Sequence, residues 1–171
     1  MALDEGAGVG GAQGASPTVA LWLMVATYIA GGVGAFIGFY TLSQDPPSLS
    51  IAALLAVGAA GLLSFLRHSV FHASDAARLG WGIGRRNNFQ IEVGLANLAW
   101  GLLAILAVAL QWGLVAEAAS FLVFGLYLAA VAIMLMSTPA REQTRPWRSV
   151  IGMVAFAVVL LWLGFAGMAA A

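Results

Sequence analysis

Five apolar segments, each about as long as a bilayer is thick, constrain this chain more than any other feature. A helix needs about 20 mostly apolar residues to cross a membrane, and the segments run over 18–42, 49–71, 89–110, 115–137 and 150–168. Only 8% of the residues are charged, whereas soluble domains carry about 25%. Because so few charges cannot cover a water-exposed surface, the sequence predicts an all-α integral membrane bundle of five transmembrane helices.

The ends of the chain differ in character. Residues 1–17 are rich in Gly and Ala and lack the basic region that begins a signal peptide. We expect them to form a flexible tail. Residues 18–171 are predicted to form a single transmembrane domain, since their length leaves room for little else.

The basic residues predict how the bundle lies in the membrane. With five spans, all seven fall on one side or at its helix ends: Arg67, Arg78, Arg85, Arg86, Arg141, Arg145 and Arg148. The opposite side carries Asp45 and Glu117 without any basic residue. The positive-inside rule therefore predicts a cytoplasmic N-terminus and an external C-terminus. Because the composition is typical of a GC-rich bacterial genome, we expect a multi-pass protein of the bacterial inner membrane.

Small residues at helical spacing predict close helix contacts. Lipid offers no hydrophobic gain between helices, so they associate through tight packing and hydrogen bonds. Gly34 and Gly38 lie four residues apart in the first span, and Gln90, Gly94 and Asn97 follow one stripe of the third. We expect Asn97 to add a hydrogen bond between helices. Such stripes serve packing within the bundle, contact with partner subunits, or formation of a homo-oligomer.

Four ionisable residues form a candidate metal site. His68 and His72 share a face of a continuous helix, and Asp75 joins them there. Glu92 is expected at a similar depth on the next span. This set of nitrogen and oxygen ligands suits a divalent Zn, Fe, Mn or Cu ion. Haem is less favoured, because two histidines four residues apart on one helix cannot bind opposite faces of a porphyrin.

A structural interpretation of the same residues is favoured over the metal site. Ser74 would cap a separate short helix over residues 75–79, which would take Asp75 off the histidine face. Glu92 would then fix the hairpin through a hydrogen bond or an ion pair. Its functional alternatives are a metal ligand, a proton relay or an anchor for a partner subunit, because an ionisable residue inside a span needs a partner.

One segment resembles a known family. Gly80-Trp81, followed by Phe89-Gln90, Glu92, Gly94 and Ala96-Asn97-Leu98, resembles a family of small uncharacterised bacterial membrane proteins, loosely similar in layout to DoxX-like four-helix proteins. Asn87-Asn88 stands where that pattern has Ser-Pro, so the turn before the helix is expected to differ. The resemblance implies that Glu92 and Asn97 belong to a family signature. It implies no activity.

These features order the possible functions. Short loops, few ionisable groups and many small residues favour a non-enzymatic accessory or scaffold subunit of a larger bacterial membrane complex. A metal- or cofactor-binding redox protein comes second. A small transporter or channel comes third, because the ionisable residues gather at one end and not at the midplane. No hydrolase pattern is present, and no clustered basic excess points to nucleic acid. Partner, ligand, oligomeric state and pathway stay open.

Overall fold

The computed structural model describes residues 16–79, 88–137 and 147–171. Within these ranges the chain forms helices and no strand: α1 Thr18–Leu42, α2 Ser50–Val70, α3 His72–Leu79, α4 Asn88–Ala109, α5 Leu114–Ser137 and α6 Trp147–Ala170. All except α3 are long and apolar enough to cross a membrane. The predicted all-α bundle with five membrane-spanning helices is therefore confirmed. Most of the predicted tail, up to residue 15, lies outside the described residues.

The second span ends in a wide turn of helix. Its last five residues, Leu66–Val70, are π-helical, and the Phe71 amide donates to the Leu66 carbonyl five residues back, at 2.8 Å. Phe71 then leaves the helical conformation, with φ −100° and ψ 31°, and α3 begins at His72. His68 and His72 consequently lie on two different helices.

Small residues set the distance between α2 and its neighbours. A Cβ atom on Gly34 of α1 would lie 2.5 Å from the Ala56 backbone nitrogen of α2. A Cβ on Gly61 of α2 would lie 2.7 Å from the Asn97 carbonyl oxygen of α4. At these two contacts the backbones touch directly, which only glycine permits. The third span buries Gln90, Gly94 and Asn97 of the predicted stripe, which continues through the buried Gly101, Ala104 and Ala107.

Larger side chains fill the core where α5 and α6 meet α2. Phe121, Leu160 and Leu163 are fully buried there and pack with Val57. Many other large apolar side chains, such as Phe36 and Ile151, point outward. This inversion of a soluble surface fits helices that contact lipid, and it agrees with the expected multi-pass membrane protein.

Glu117 of α5 completes the start of α2, at the end of the bundle opposite α3. Its Oε1 atom accepts a 2.6 Å hydrogen bond from the Ser50 hydroxyl, and Oε2 accepts one of 3.3 Å from the Leu49 amide. The first amides of a helix have no partner within that helix, and a carboxylate is favourable there. Sequence reasoning assigned Glu117 only to a side of the membrane and missed this contact.

Candidate functional site: a buried charge cluster where α2, α3 and α4 meet

Among the described residues, the Asp75 carboxylate accepts the largest set of side-chain hydrogen bonds. Its side chain is fully buried. Oδ2 accepts from His68 Nδ1 at 2.9 Å and from Gln90 Nε2 at 3.0 Å. Oδ1 accepts from Arg78 Nη2 at 2.9 Å and from Arg78 Nε at 3.1 Å. These residues, together with Arg67 beside them, are called the charge cluster below.

Three helix ends bring the cluster together. Arg67 and His68 belong to the π-helical last turn of α2, and Asp75 belongs to the first turn of α3. The break at Phe71 lets α3 turn back, so that Asp75 faces His68. Arg78 follows Asp75 by three residues, which places both on one side of α3. Gln90 reaches the site from the first turn of α4.

The hydrogen bonds assign the protonation of His68. Arg67 Nη2 lies 2.6 Å from His68 Nε2. A guanidinium group can only donate hydrogen bonds, so Nε2 must be the acceptor. The ring proton then belongs to Nδ1, which donates to Asp75. His68 is therefore neutral in this arrangement, and both of its nitrogens are engaged.

The surroundings of Asp75 keep its carboxyl group ionised. Burial by itself raises the pKa of Asp75, but the hydrogen bond from His68 and the nearby guanidinium groups of Arg67 and Arg78 outweigh it. The pKa falls from 3.8 to about 2. A carboxylate that accepts several hydrogen bonds from cationic neighbours behaves in this way.

We expect this shift to make the folded state pH-dependent in one narrow window. A carboxyl whose folded pKa is depressed stabilises the protein fully above its unfolded pKa, near 3.8, and loses that contribution as the pH falls through the folded value, about 2. The loss amounts to about 2 kcal/mol. In a D4N/D45N background Asp75 is the only aspartate, so one ¹³C-labelled carboxyl signal reports its titration in detergent. A midpoint near 3.8 would contradict the expectation.

The other predicted ligands do not join the cluster. The His72 ring, through Nδ1, donates to the Ser69 carbonyl at 3.1 Å. Glu92 is exposed, because it lies two residues beyond Gln90 and thus about 200° around α4. The structure therefore unites His68 with Asp75 but separates them from His72 and Glu92. Across the described ranges, no three His, Asp or Glu residues are grouped so as to hold a metal ion.

Ser74 has a different role from the predicted helix cap. Its hydroxyl donates to the Ser16 carbonyl and accepts a hydrogen bond from the Ala20 amide at 3.1 Å. Ala20 lies in the first turn of α1, where amides need a partner from outside the helix. Ser74 thus connects α3 to the start of α1. It is not the cap of α3, because that helix already begins at His72, earlier than the sequence predicts.

The predicted packing residues lie mainly between helices. Gly34 and Gly38 face α2, and Gly38 also faces Leu163 of α6. Gly94 faces Ser69, whose hydroxyl donates to the Ile91 carbonyl at 3.0 Å, and a Cβ on Gly94 would collide with that hydroxyl.

Asn97 departs from its expected role. Its side-chain amide donates at 2.7 Å to the Val93 carbonyl of its own helix. Asn97 therefore donates its side-chain hydrogen bond within α4 and not, as expected, to a neighbouring helix. The residue is nevertheless buried, and its backbone carbonyl lies close to Gly61 of α2.

Sequence reasoning did not predict that Arg67, Arg78 and Gln90 surround Asp75 in the charge cluster. The three-residue spacing of Asp75 and Arg78 was a usable signal, since such pairs meet on one helix face. Gln90 belongs to the predicted packing stripe of α4, and its position at the start of that stripe indicates a place beside the end of α2. No comparable signal identified Arg67, whose orientation depends on the π-helical turn.

Comparison with known proteins supplies a family and no function. Residues 22–165 match the model of a family described as "Family of unknown function (DUF6790)". The matched range extends from α1 into α6 and includes the charge cluster and Glu92. The predicted membership in an uncharacterised family is thereby confirmed. No curated protein and no solved structure matches the chain.

Proposed function

We propose that this chain, which belongs to the DUF6790 family of unknown function, is a non-enzymatic accessory or scaffold subunit of a larger membrane complex. The arginine distribution supports an orientation with the charge cluster at the cytoplasmic end, and the amino-acid composition supports a location in the bacterial inner membrane. The likeness in layout to DoxX-like proteins stays an expectation and carries no part of this proposal.

One observation carries the proposal: Glu92 lies on an exposed face of a membrane-spanning helix. It is four residues from the start of α4, or about 6 Å along the helix axis. Among the residues that the structure describes, none donates a hydrogen bond to its carboxylate or forms an ion pair with it. Lipid chains cannot satisfy a carboxylate. A donor on a neighbouring protein would do so.

The rest of that face has the spacing of a helix contact. From Glu92 to the end of α4 the exposed residues recur every three or four positions, and they are called the Glu92 face: Glu92, Leu95, Ala99, Leu102, Leu106 and Ala109. This spacing puts them in one stripe along the helix, which is the arrangement that a face packed along another helix needs. A partner helix on the Glu92 face would bury the apolar residues and meet the carboxylate near one end.

The two buried acids of the described residues, Asp75 and Glu117, have internal roles. Asp75 holds α2, α3 and α4 together, and Glu117 caps the start of α2. The metal-binding alternative is not favoured by the geometry, because the Nε2 lone pair of His68 already accepts from Arg67. These assignments leave Glu92 as the described acid best placed to act on another molecule.

Substitution of Glu92 tests the proposal. We expect E92L to reduce the native mass of the complex isolated in mild detergent toward that of the lone chain, because the donor on the partner loses its acceptor. E92Q should weaken the complex less, since an amide still accepts a hydrogen bond. The unfolding temperature of the isolated chain should stay the same in both variants, because Glu92 makes no bond within the described fold.

The matched controls are D45N and N97L. D45N removes an exposed acid outside the spans and should leave the complex intact. N97L alters a buried residue beside α2, so it should lower the unfolding temperature of the isolated chain. A complex of unchanged mass in E92L, or a wild-type chain that migrates alone, would reject the proposal.

A further inference from the structure

The charge cluster contains more positive than negative charge. Arg67 and Arg78 both face Asp75, and their guanidinium groups are always protonated. His68 is neutral, because its Nε2 atom accepts from Arg67. Two cations around one carboxylate leave an excess of one positive charge in a largely buried site. A buried charge without a counter-charge is unfavourable, so the site is suited to an additional anion.

Arg67 is the residue with unused hydrogen-bonding capacity. Its Nη2 atom is bound to His68. Its Nε atom is buried and has no hydrogen-bond acceptor. The Asp75 Oδ1 atom lies 3.9 Å from it, which is beyond hydrogen-bonding distance. An unsatisfied donor on a charged group is costly, so an acceptor that reached Arg67 would be bound favourably.

The site also has an open side. The side chains of Arg67 and Arg78 keep 14% and 22% of their surface exposed, whereas Asp75 keeps none. A molecule arriving from outside would therefore meet guanidinium groups and not the carboxylate. In the described part of the chain no second carboxylate is bonded to either arginine: Glu92 lies on the other face of α4, and Glu117 binds the opposite end of α2.

We propose that Arg67 and Arg78 bind a phosphate group at the junction of α2 and α3. Phosphate oxygens accept several guanidinium hydrogen bonds at once, and one negative charge would balance the excess of the cluster. The junction lies at a membrane boundary, where basic pockets between helices bind lipid headgroups. An anionic phospholipid and a free phosphate ion offer the same chemistry, and the experiment separates them.

Native mass spectrometry of the full chain in neutral detergent tests the site, with phosphatidylglycerol and phosphatidylcholine as competing probes. We expect the wild-type chain to retain a single phosphatidylglycerol in preference to phosphatidylcholine by roughly tenfold. R67Q should abolish that preference. R148Q removes the same charge at the start of α6, on the same side of a five-span bundle, and should preserve it.

Each outcome separates the sources or rejects the site. Displacement of phosphatidylglycerol by added inorganic phosphate assigns the site to phosphate in general, and resistance to displacement assigns it to the lipid headgroup. An equal loss of preference in R67Q and R148Q would show general attraction to a basic surface and overturn the proposal. If R67Q does not fold, R67K replaces it. A specific site should lose most of its preference for phosphatidylglycerol in R67K, because an ammonium group lacks the planar donors of a guanidinium group. Retention of the full preference in R67K would reject the proposal.

Discussion

Replacing Asp75 with asparagine should destabilise the bundle by about 3–5 kcal/mol, because it leaves buried cations without their counter-charge. Arg78 would lose two hydrogen bonds to a carboxylate and His68 would lose one. The side chain is fully buried, so water cannot take the place of the lost charge. Folded membrane proteins have small net stabilities, as other proteins do. We expect D75N to give little folded protein or a strongly lowered unfolding temperature in detergent.

Asp45 provides the control for this prediction. It is an exposed aspartate in the turn between α1 and α2, and D45N should change the free energy of unfolding by no more than about 0.5 kcal/mol. A second variant identifies the cause. D75N/R78Q removes one of the stranded cations and should be more stable than the sum of the two single changes implies. Additive effects, or a D75N variant as stable as wild type, would rule out the charge cluster as a structural centre.

The substitution of Gly34 by alanine has the second largest expected effect. A single methyl group at this position would lie 2.5 Å from the Ala56 nitrogen and 2.8 Å from its Cβ atom. The nearest atom belongs to the backbone and cannot rotate away, so α1 and α2 must move apart. Overpacking of this kind costs about 1–3 kcal/mol. G34A should therefore lower the unfolding temperature, and G34V should lower it further.

Gly32 is the matched control on the same helix. It is exposed, and a Cβ atom there would meet no atom within 4 Å. G32A should be neutral or stabilising by up to about 1 kcal/mol, since alanine is the better helix former. Thermal unfolding of both variants, followed by tryptophan fluorescence, compares them directly. If G34A and G32A unfold at the same temperature, the contact between α1 and α2 is looser than described.

Much of the fold was accessible from the sequence because the bilayer simplifies the problem. Spans must be long and apolar, so their number and approximate limits could be predicted from hydrophobicity. The buried stripe of α4 followed from the spacing of Gln90, Gly94 and Asn97. The same stripe also placed Glu92 outward, since a residue two positions from Gln90 cannot share its face. The predicted metal site groups Glu92 with the histidines, whereas this spacing directs Glu92 away from the face of Gln90.

The charge cluster was less accessible for a physical reason. The helix breaks at Phe71, directly after a π-helical turn. Such a turn leaves no recognisable pattern in the sequence, so the break could not be predicted. The contact between Asp75 and His68 exists only because the chain breaks there. The predicted set of His68, His72 and Asp75 assumed a continuous helix. Likewise, no local pattern connects Glu117 to the start of α2, because the residues that it binds are 67 and 68 positions away.

That last contact has a consequence for biogenesis. A ribosome releases α2 well before α5, so the Leu49 amide and the Ser50 hydroxyl enter the membrane boundary before Glu117 has been synthesised. Until α5 inserts, the start of α2 is capped by water. The hairpin of α1 and α2 is thus a translation intermediate with an unfinished end, and arrival of the fourth span completes it. Nascent chains stalled before residue 117 would therefore carry a second span whose first polar groups still lack their protein partner.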